Sequence, residues 1–372
     1  MKRAWVVILL LTGLVLAPFT PARAETLITL TQTPSQLADG RFLNNELALS
    51  ISSGGALDKV LSARYRGAKS WLIDPALLEE ISALSDGYVY LDVEGNEVSV
   101  DEFPAAADWL NLLRFISRND RVVTMTYGGP SLSYLEKTAP GELALYNQLS
   151  ALRLEEILGR PVIAPGTTQA STKSPALVAK NSYTALRKTM RVINSIVTTS
   201  DVESLRIGLA KTLNPLLSKD GAIALTRSYE SEIKRFDGRL RVSTGNYTIT
   251  ASNYELPVTI INDFDQLVSV DLDITTTNSR VLVTQVPRIT VGARSQIQIK
   301  VPIQVIASGD TALRLQLRTP KGSAIGEMER IPLRLAVISP ITTWFTTGMA
   351  IILLLAAVIQ SVRRVKRRKQ HE

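Results

Sequence analysis

The sequence predicts an α/β amino-terminal region with a helical extension, then an immunoglobulin-like β-sandwich and one carboxy-terminal transmembrane helix. Three observations predict this order: mixed strand and helix patterns in the first half, a period of two in residues 239–338, and an uncharged apolar run near the end. A chain of 372 residues is long enough for two ordinary domains. The predicted segments are a signal peptide (1–24), an α/β region (25–160), a linker (161–175), a helical region (176–236), the sandwich (239–338), a membrane span (341–362) and a basic tail (363–372).

The first 24 residues have the three-part form of an export signal. Lys2 and Arg3 precede an apolar run over 4–17, and the small residues Ala22 and Ala24 follow it. This arrangement is typical of a secretory signal peptide, so we expect cleavage after Ala24.

The region 25–160 mixes strand and helix patterns. Residues 70–73 and 122–126 are short apolar runs that predict buried strands, and each precedes a helical pattern. A further helix is expected to open at Pro104 and to carry Trp109 and Leu113 on one face. Strands that alternate with helices predict a parallel sheet, so we expect a truncated, barrel-like α/β unit.

The region 176–236 shows apolar stripes at helical spacing. Three stripes run through 186–197, 202–213 and 225–236, which predicts three amphipathic helices that bury these faces in a core. Ser200 with Glu203 predicts a capping box at the start of the second helix. The preceding segment 161–175 is rich in Pro, Thr and Ser and indicates a linker.

The region 239–338 alternates apolar and polar residues. Leu256, Val258 and Ile260 form one set, and 268–274, 297–301, 313–317 and 331–335 repeat the pattern. Turn residues such as Asn262 and Gly292 separate these sets. Several short half-buried strands in about a hundred residues predict an antiparallel sandwich of immunoglobulin-like type.

The run 341–362 contains no charge and is followed at once by six Lys and Arg between 363 and 369. An apolar run of this length followed by cations is typical of a transmembrane helix with a cytoplasmic basic stop. We therefore expect a single-pass protein of the cell membrane, with its amino-terminal bulk extracytoplasmic and its carboxy terminus cytoplasmic.

The formal charge of +8 is concentrated at the chain ends. Three of the 42 Lys and Arg lie in 1–24 and six in the tail, while one of the 34 Asp and Glu lies in the tail, which leaves 33 of each between them. A neutral body lacks the electrostatic footprint of a nucleic-acid-binding protein, so no nucleic-acid partner is expected.

The chain contains no cysteine, and its one histidine is His371 in the tail. These counts exclude disulfides, thiol nucleophiles and thiolate metal sites, and they exclude serine–histidine catalysis in the body of the protein. The sequence also carries no cofactor fingerprint, so we expect neither a cofactor nor a metal site.

Asp74 and Tyr127 are the candidate catalytic residues, because each ends a predicted strand. The carboxyl ends of parallel strands host active sites in α/β folds. Asp74 is followed by Pro75, however, and Asp at the N-cap with Pro at the first helical position is a preferred helix start. Tyr127 precedes Gly128-Gly129-Pro130, which is commonly a plain strand-to-helix turn. Capping is therefore favoured over catalysis for Asp74.

An alternative prediction is a carbohydrate-active enzyme on a degenerate β/α barrel. Asp74 would be one carboxylate, and its partner would be Asp92, Asp101 or Glu102, because glycoside hydrolysis needs two carboxyl groups within about 10 Å. The acidic set Asp92, Glu94, Asp101 and Glu102 could also bind a divalent cation, but its spacing does not match the calcium loop, and a solvated hairpin around Gly95 explains it better.

Four segments resemble a known family: 71–78 (WLIDPALL), 105–113, 122–129 and 256–262 (LPVTIIN), together with the terminal apolar run and its basic tail. They are similar to an uncharacterised actinobacterial family of exported, membrane-anchored envelope proteins that is typically encoded beside the lipid II flippase. Members are usually longer, and this chain looks like a shortened member. The resemblance implies a setting in cell-wall construction and supplies no catalytic residues.

Together these observations predict a non-enzymatic binding or scaffold component of the cell envelope. Its expected partners are the cell membrane and envelope or peptidoglycan-synthesis proteins. The prediction depends on the lack of a convergent nucleophile, metal cluster or cofactor motif in the sequence.

Overall fold

A computed structural model describes residues 25–166, 173–243, 245–336 and 340–368 of the chain. The predicted export signal over 1–24, the centre of the predicted linker at 167–172 and the last residues of the predicted tail at 369–372 lie outside the described residues.

A parallel sheet forms the centre of the amino-terminal region, residues 25–166, which we call the head. The strands of the head are β1 (Thr26–Leu30), β2 (Lys69–Ile73), β3 (Tyr88–Leu91), β4 (Glu97–Val100) and β5 (Arg121–Thr124). Strands β1, β2 and β5 are hydrogen-bonded in that order and run parallel, while β3 and β4 form a separate antiparallel hairpin. Three parallel strands are too few to close on themselves, so within the described residues the sheet is open and the predicted barrel-like closure is absent.

Helices cover this sheet and supply the core of the head. They are α1 (Glu46–Ile51), α2 (Ala56–Ser62), α3 (Pro75–Leu84), α4 (Pro104–Ser117), α5 (Leu132–Thr138) and α6 (Pro140–Leu158). Helix α3 packs against both α4 and α6. Trp71 from β2, Leu78 from α3 and Leu113 from α4 are at most 1% exposed and belong to one hydrophobic cluster. Pro at the first position of α3, α4 and α6 suits a helix start, because its missing N–H needs no partner there.

Three amphipathic helices follow: α7 (Leu177–Asn194), α8 (Ser200–Thr212) and α9 (Lys219–Asp237). Helix α7 packs against α8 and α9, and we call this group the helical region. Thr199, and not the predicted Ser200, is the N-cap of α8, since its hydroxyl accepts a hydrogen bond from the backbone N–H of Val202. The prediction was one residue late because Ser and Thr are both favoured caps and stand side by side.

Two sheets form the carboxy-terminal sandwich, which confirms the predicted immunoglobulin-like β-sandwich. The strands are β6 (Leu240–Ser243), β7 (Tyr247–Ile249), β8 (Asn253–Asn262), β9 (Val268–Thr276), β10 (Val281–Val283), β11 (Ile289–Val291), β12 (Ser295–Val305), β13 (Gly309–Arg318) and β14 (Ala324–Leu335). One sheet has the order β10-β12-β8-β6 and the other β11-β9-β13-β14-β7. All pairs are antiparallel except β14 with β7. Alternate side chains of β8 and β9 are buried between the sheets.

The helical region and the sandwich share one continuous hydrophobic core. Phe236 at the end of α9 lies against Phe264 in the β8–β9 loop, with ring centroids 6.4 Å apart. The same cluster extends from Val270 in the sandwich to Tyr127 and Leu37 in the head. The three parts of the chain are therefore joined by buried apolar contacts.

The prediction of a transmembrane helix over 341–362 is contradicted. Helix α10 (Pro340–Arg368) occupies this part of the chain. A helix that crosses a bilayer needs about 20 predominantly apolar residues. Within the residues that the structure describes, no helix combines the length and the apolar character needed to cross a membrane. The predicted single-pass placement in the cell membrane depended on that span and is corrected with it.

Candidate functional site

Asp74 lies where the carboxyl ends of β1, β2 and β5 meet. Its backbone N–H continues the sheet by donating to the carbonyl of Leu30 at 3.0 Å. Its side chain is buried, and Oδ1 accepts hydrogen bonds from the backbone N–H of Ala76 at 3.0 Å and of Gly128 at 2.9 Å. The first bond caps α3, and the second joins β2 to the loop after β5. Asp74 thus acts as a helix cap and as a connection between two strand ends.

Burial also changes the acidity of Asp74. Removal from water raises the pKa of its carboxyl from 3.8 to about 7, against the opposing effect of the bonds from Gly128 and Ala76. The negative charge of nearby Glu80 adds to the rise, whereas Lys211 lowers the pKa. The folded protein therefore holds a proton on Asp74 more firmly than the unfolded chain does.

Tyr127, the second predicted catalytic residue, is buried beside the same carboxyl ends of the strands. Its hydroxyl donates a hydrogen bond to Oε2 of Glu79, whose Oε1 accepts one from Arg153 at 3.1 Å. Its backbone N–H donates to the hydroxyl of Ser150 at 2.8 Å. Burial, with the nearby Glu79 carboxylate, raises the pKa of Tyr127 well above its usual value of 10. The phenol therefore stays protonated at neutral pH.

A buried ion pair between Lys211 and Glu80 completes this group. Their side chains are 4% and 3% exposed, and Nζ of Lys211 lies 2.8 Å from Oε1 of Glu80. Oε2 of Glu80 accepts from the backbone N–H and the hydroxyl of Ser35, at 3.0 and 3.1 Å. The Lys211 ammonium also donates to the carbonyl of Gln36 at 3.2 Å. The pair therefore fastens α8 to α3 and to the loop after β1.

The charge on Lys211 is maintained by its partner. Burial is the largest single effect and disfavours an ammonium, but Glu80, Tyr229 and Glu79 together outweigh it, and the pKa of Lys211 is raised. We call Asp74, Glu79, Glu80, Tyr127 and Lys211 the rim cluster. All of its carboxylates accept hydrogen bonds from groups of the chain itself.

The loop after β5 approaches α8 too closely for a side chain. Gly128 has φ +71°, and a Cβ built on it would lie 2.7 Å from Cγ and 3.0 Å from Cα of Lys211. The amide of Asn214 donates to the carbonyl of Gly128 at 2.9 Å. The glycine pair, predicted as a strand-to-helix turn, therefore also gives α8 room to pack against the head.

A pocket of about 340 Å³ opens beside the rim cluster, between the head and α8 and α9. Among its lining residues are Gln36, Glu79, Tyr127, Lys211, Tyr229 and Arg235. Its walls combine both signs of charge with aromatic rings, which is a surface suited to a polar binding partner.

The alternative carboxylates lie elsewhere. Asp92 is in the turn of the β3–β4 hairpin, where its Oδ1 accepts from the backbone N–H groups of Glu94 and Asn96. Asp101 lies against Gly87, just past the carboxyl end of α3, and Glu102 follows it. Asp74 caps the opposite end of this ten-residue helix, so about 15 Å of helix separates it from Asp101. The structure does not bring Asp74 together with these residues.

Sequence reasoning missed Lys211 and Glu80. A signal was present for Lys211, which is the one charge in the run 207–215 (IGLAKTLNP). A single cation inside an uncharged helical run is a candidate for burial with a partner. Among the described residues no group of three His, Cys, Asp or Glu is arranged to hold a metal ion.

The fold defines a class of protein: an open α/β head and a helical region that share a core with an immunoglobulin-like sandwich. Residues 167–370 match the model of a family of unknown function, DUF6049. The match covers more than half of the chain, so the protein belongs to this family. No curated protein matches the chain.

Solved structures similar to part of the chain include a member of the MSP family from C. elegans, WR4. It is 12% identical, covers 27% of this chain and 99% of its own, and gives a TM-score of 0.22. A fragment of α2-macroglobulin from Escherichia coli is 11% identical over 26% of this chain and 16% of its own, with a TM-score of 0.21. The E. coli chaperone DraB is 13% identical over 27% and 57% of the two chains, with a TM-score of 0.21.

Proposed function

We propose that this protein is a non-enzymatic binding or scaffold component of the cell envelope, linked to cell-wall construction. The observation that carries the proposal is that the carboxylates of the rim cluster are bonded to groups of the chain itself. Asp74 accepts two backbone N–H bonds, and Glu80 is neutralised by Lys211 and bonded to Ser35. General acid–base catalysis needs such a group within reach of a substrate proton, but these oxygens face internal donors.

The finer placement of the family is part of the same proposal. The resemblance in 71–78 and 256–262 supports an actinobacterial family encoded beside the lipid II flippase. The partners proposed on this basis are envelope or peptidoglycan-synthesis proteins. The contact surface would include the 340 Å³ pocket, whose rim carries the exposed Arg235.

The test is site-specific photo-crosslinking of the full chain in the cells that encode it. A photoreactive residue at Arg235 is expected to capture a peptidoglycan-synthesis protein, while the same residue at Lys59, an exposed position on α2, is expected not to. Equal capture from both positions would contradict a partner surface at the pocket.

A second measurement addresses catalysis directly. Purified full chain incubated with peptidoglycan is expected to release no soluble glycan. Release by the wild-type chain that is abolished by Asp74→Asn would overturn the proposal, because Asn can still cap α3 but cannot transfer a proton.

A further inference from the structure

A second pocket, of about 510 Å³, lies between the helical region and the sandwich. One wall is the last two turns of α7 and the facing side of α8, and the other is the turn between β13 and β14. Its charged lining residues are Lys188, Arg191, Arg206 and Lys321. We call it the basic pocket, because these four are cations and none of the residues that line it is acidic.

The four cations differ in how they are neutralised. Arg206 is bonded through two nitrogens to the buried Glu142, at 3.1 and 2.9 Å. Arg191 is 61% exposed, and its Nε lies 3.8 Å from the same carboxylate. Lys188 and Lys321 are exposed and form no ion pair with any residue that the structure describes. The Glu142 carboxylate thus pairs with two of the four cations, Arg206 and Arg191, and the pocket keeps an excess of positive charge.

This concentration of charge is not explained by the composition of the chain. The region between the predicted signal and the tail is formally neutral. Arg191 in the last turn of α7 complements the helix dipole, an effect that does not reach back to Lys188. It does not account for Lys321, which the sandwich places in the same concavity. Like charges that converge from separate elements repel each other unless an anion lies between them.

The remaining polar groups of the pocket favour a particular anion. The exposed side chain of Ser323 lies among the cations. The other two hydroxyl groups of the lining have internal partners: that of Ser195 donates to the carbonyl of Val192 at 2.7 Å, and that of the buried Thr319 accepts from the backbone N–H of Ser323 at 3.3 Å. Arg, Lys and hydroxyl donors together are the groups that bind phosphate oxygens, and a concave site suits a compact anion of several charges. A nucleic-acid strand would instead require a basic stripe along the surface.

We propose that the basic pocket binds a ligand that carries a phosphate or diphosphate group. Lys188 and Lys321 supply most of the charge, Arg191 shares its charge with Glu142, and the exposed Ser323 hydroxyl orients a phosphate oxygen. The site joins the helical region to the sandwich, so an occupied pocket would hold these two parts together. The proposal does not depend on the envelope function proposed above.

The test is calorimetric titration of the full chain with inorganic pyrophosphate at about 0.15 M ionic strength, where weak surface attraction is screened. We expect saturable binding. The double variant Lys188→Gln/Lys321→Gln is expected to raise the dissociation constant about tenfold, since it removes both unpaired charges. The matched control Lys59→Gln/Lys137→Gln removes the same charge from exposed positions on α2 and α5 and is expected to bind as the wild type does.

Citrate provides the comparison of anion types, because it has a similar charge but carries carboxylates. Weaker binding of citrate than of pyrophosphate supports the phosphate assignment, and equal binding overturns it. Absence of saturable pyrophosphate binding, or an equal loss in the control variant, overturns the site itself. The single variant Lys321→Gln, in an exposed turn, keeps the test valid if the double variant folds poorly.

Discussion

The rim cluster and the basic pocket both lie where the helical region meets another part of the chain, but their charged side chains differ in pairing and in exposure. In the rim cluster the Lys211 ammonium and the Glu80 carboxylate are at most 4% exposed and are paired with each other. In the basic pocket the cations outnumber their one carboxylate, and two of them are exposed and form no ion pair within the described part of the chain. The comparison indicates that the first group stabilises the fold and that the second is available to a ligand.

The largest expected effect is that of Lys211→Met, which removes the buried cation of the rim cluster. Loss of the ammonium leaves Glu80 buried without its counter-charge, and we expect the free energy of unfolding to fall by about 3–5 kcal/mol. Urea unfolding measures this change. Lys137→Met, at an exposed position on α5, is the control and is expected to stay within about 0.5 kcal/mol of the wild type. An unchanged urea midpoint for Lys211→Met would show that the buried ion pair does not stabilise the fold.

Gly128→Ala tests the close contact between the head and α8. The new Cβ would meet Lys211 at 2.7 Å in a backbone of positive φ, so we expect a loss of about 2–3 kcal/mol. Gly95→Ala is a matched control, because Gly95 has φ +84° but nothing within 4 Å of its Cβ position. The control should show only the conformational cost, about 1 kcal/mol. Equal losses would mean that the contact with Lys211 contributes nothing.

Asp74 makes the free energy of unfolding depend on pH. Its pKa is about 7 in the folded protein and 3.8 as its ordinary value, so the folded state binds more protons between these limits. The contribution of Asp74 to stability is therefore complete below about pH 4 and declines as the pH rises towards 7.

Asp74→Asn keeps an oxygen for both backbone N–H bonds and removes the titration. Urea unfolding across this pH range should show that the wild type loses stability relative to the variant as the pH increases. A parallel pair of curves would contradict the raised pKa. Asp74→Ala, which also removes the cap, is expected to lose about 1–2 kcal/mol.

The smallest change in stability is expected for the lysines of the basic pocket. Lys188→Gln/Lys321→Gln should leave the free energy of unfolding within about 0.5 kcal/mol of the wild type, because both side chains are exposed. Differential scanning calorimetry without added anion measures this. A large destabilisation would indicate that these lysines hold the helical region to the sandwich by contacts of their own.

The sandwich and the cap of α3 could be predicted from the sequence because their signals are local. Alternation in β8 and β9 reports the two faces of a strand, and Asp74 followed by Pro75 is a helix start within two residues. The hairpin around Gly95 was equally local.

The rest depended on distant contacts. Lys211 and Glu80 are separated by 131 positions, and no local pattern shows which carboxylate a buried lysine meets. Lys188 and Lys321 share a pocket only because α7 packs beside β14. The transmembrane prediction was wrong for a different reason: it depended on a local apolar run, and no helix of the described residues is long and apolar enough to cross a membrane.

A double-mutant cycle on Glu80 and Lys211 measures how strongly the two buried charges of the rim cluster stabilise each other. Urea unfolding of Glu80→Gln, Lys211→Met and the double variant gives the coupling free energy of the two side chains. If the rim cluster stabilises the fold through paired charges, the double variant should lose about 2–3 kcal/mol less than the sum of the single variants. Additive losses, with no coupling between the two positions, would contradict the account.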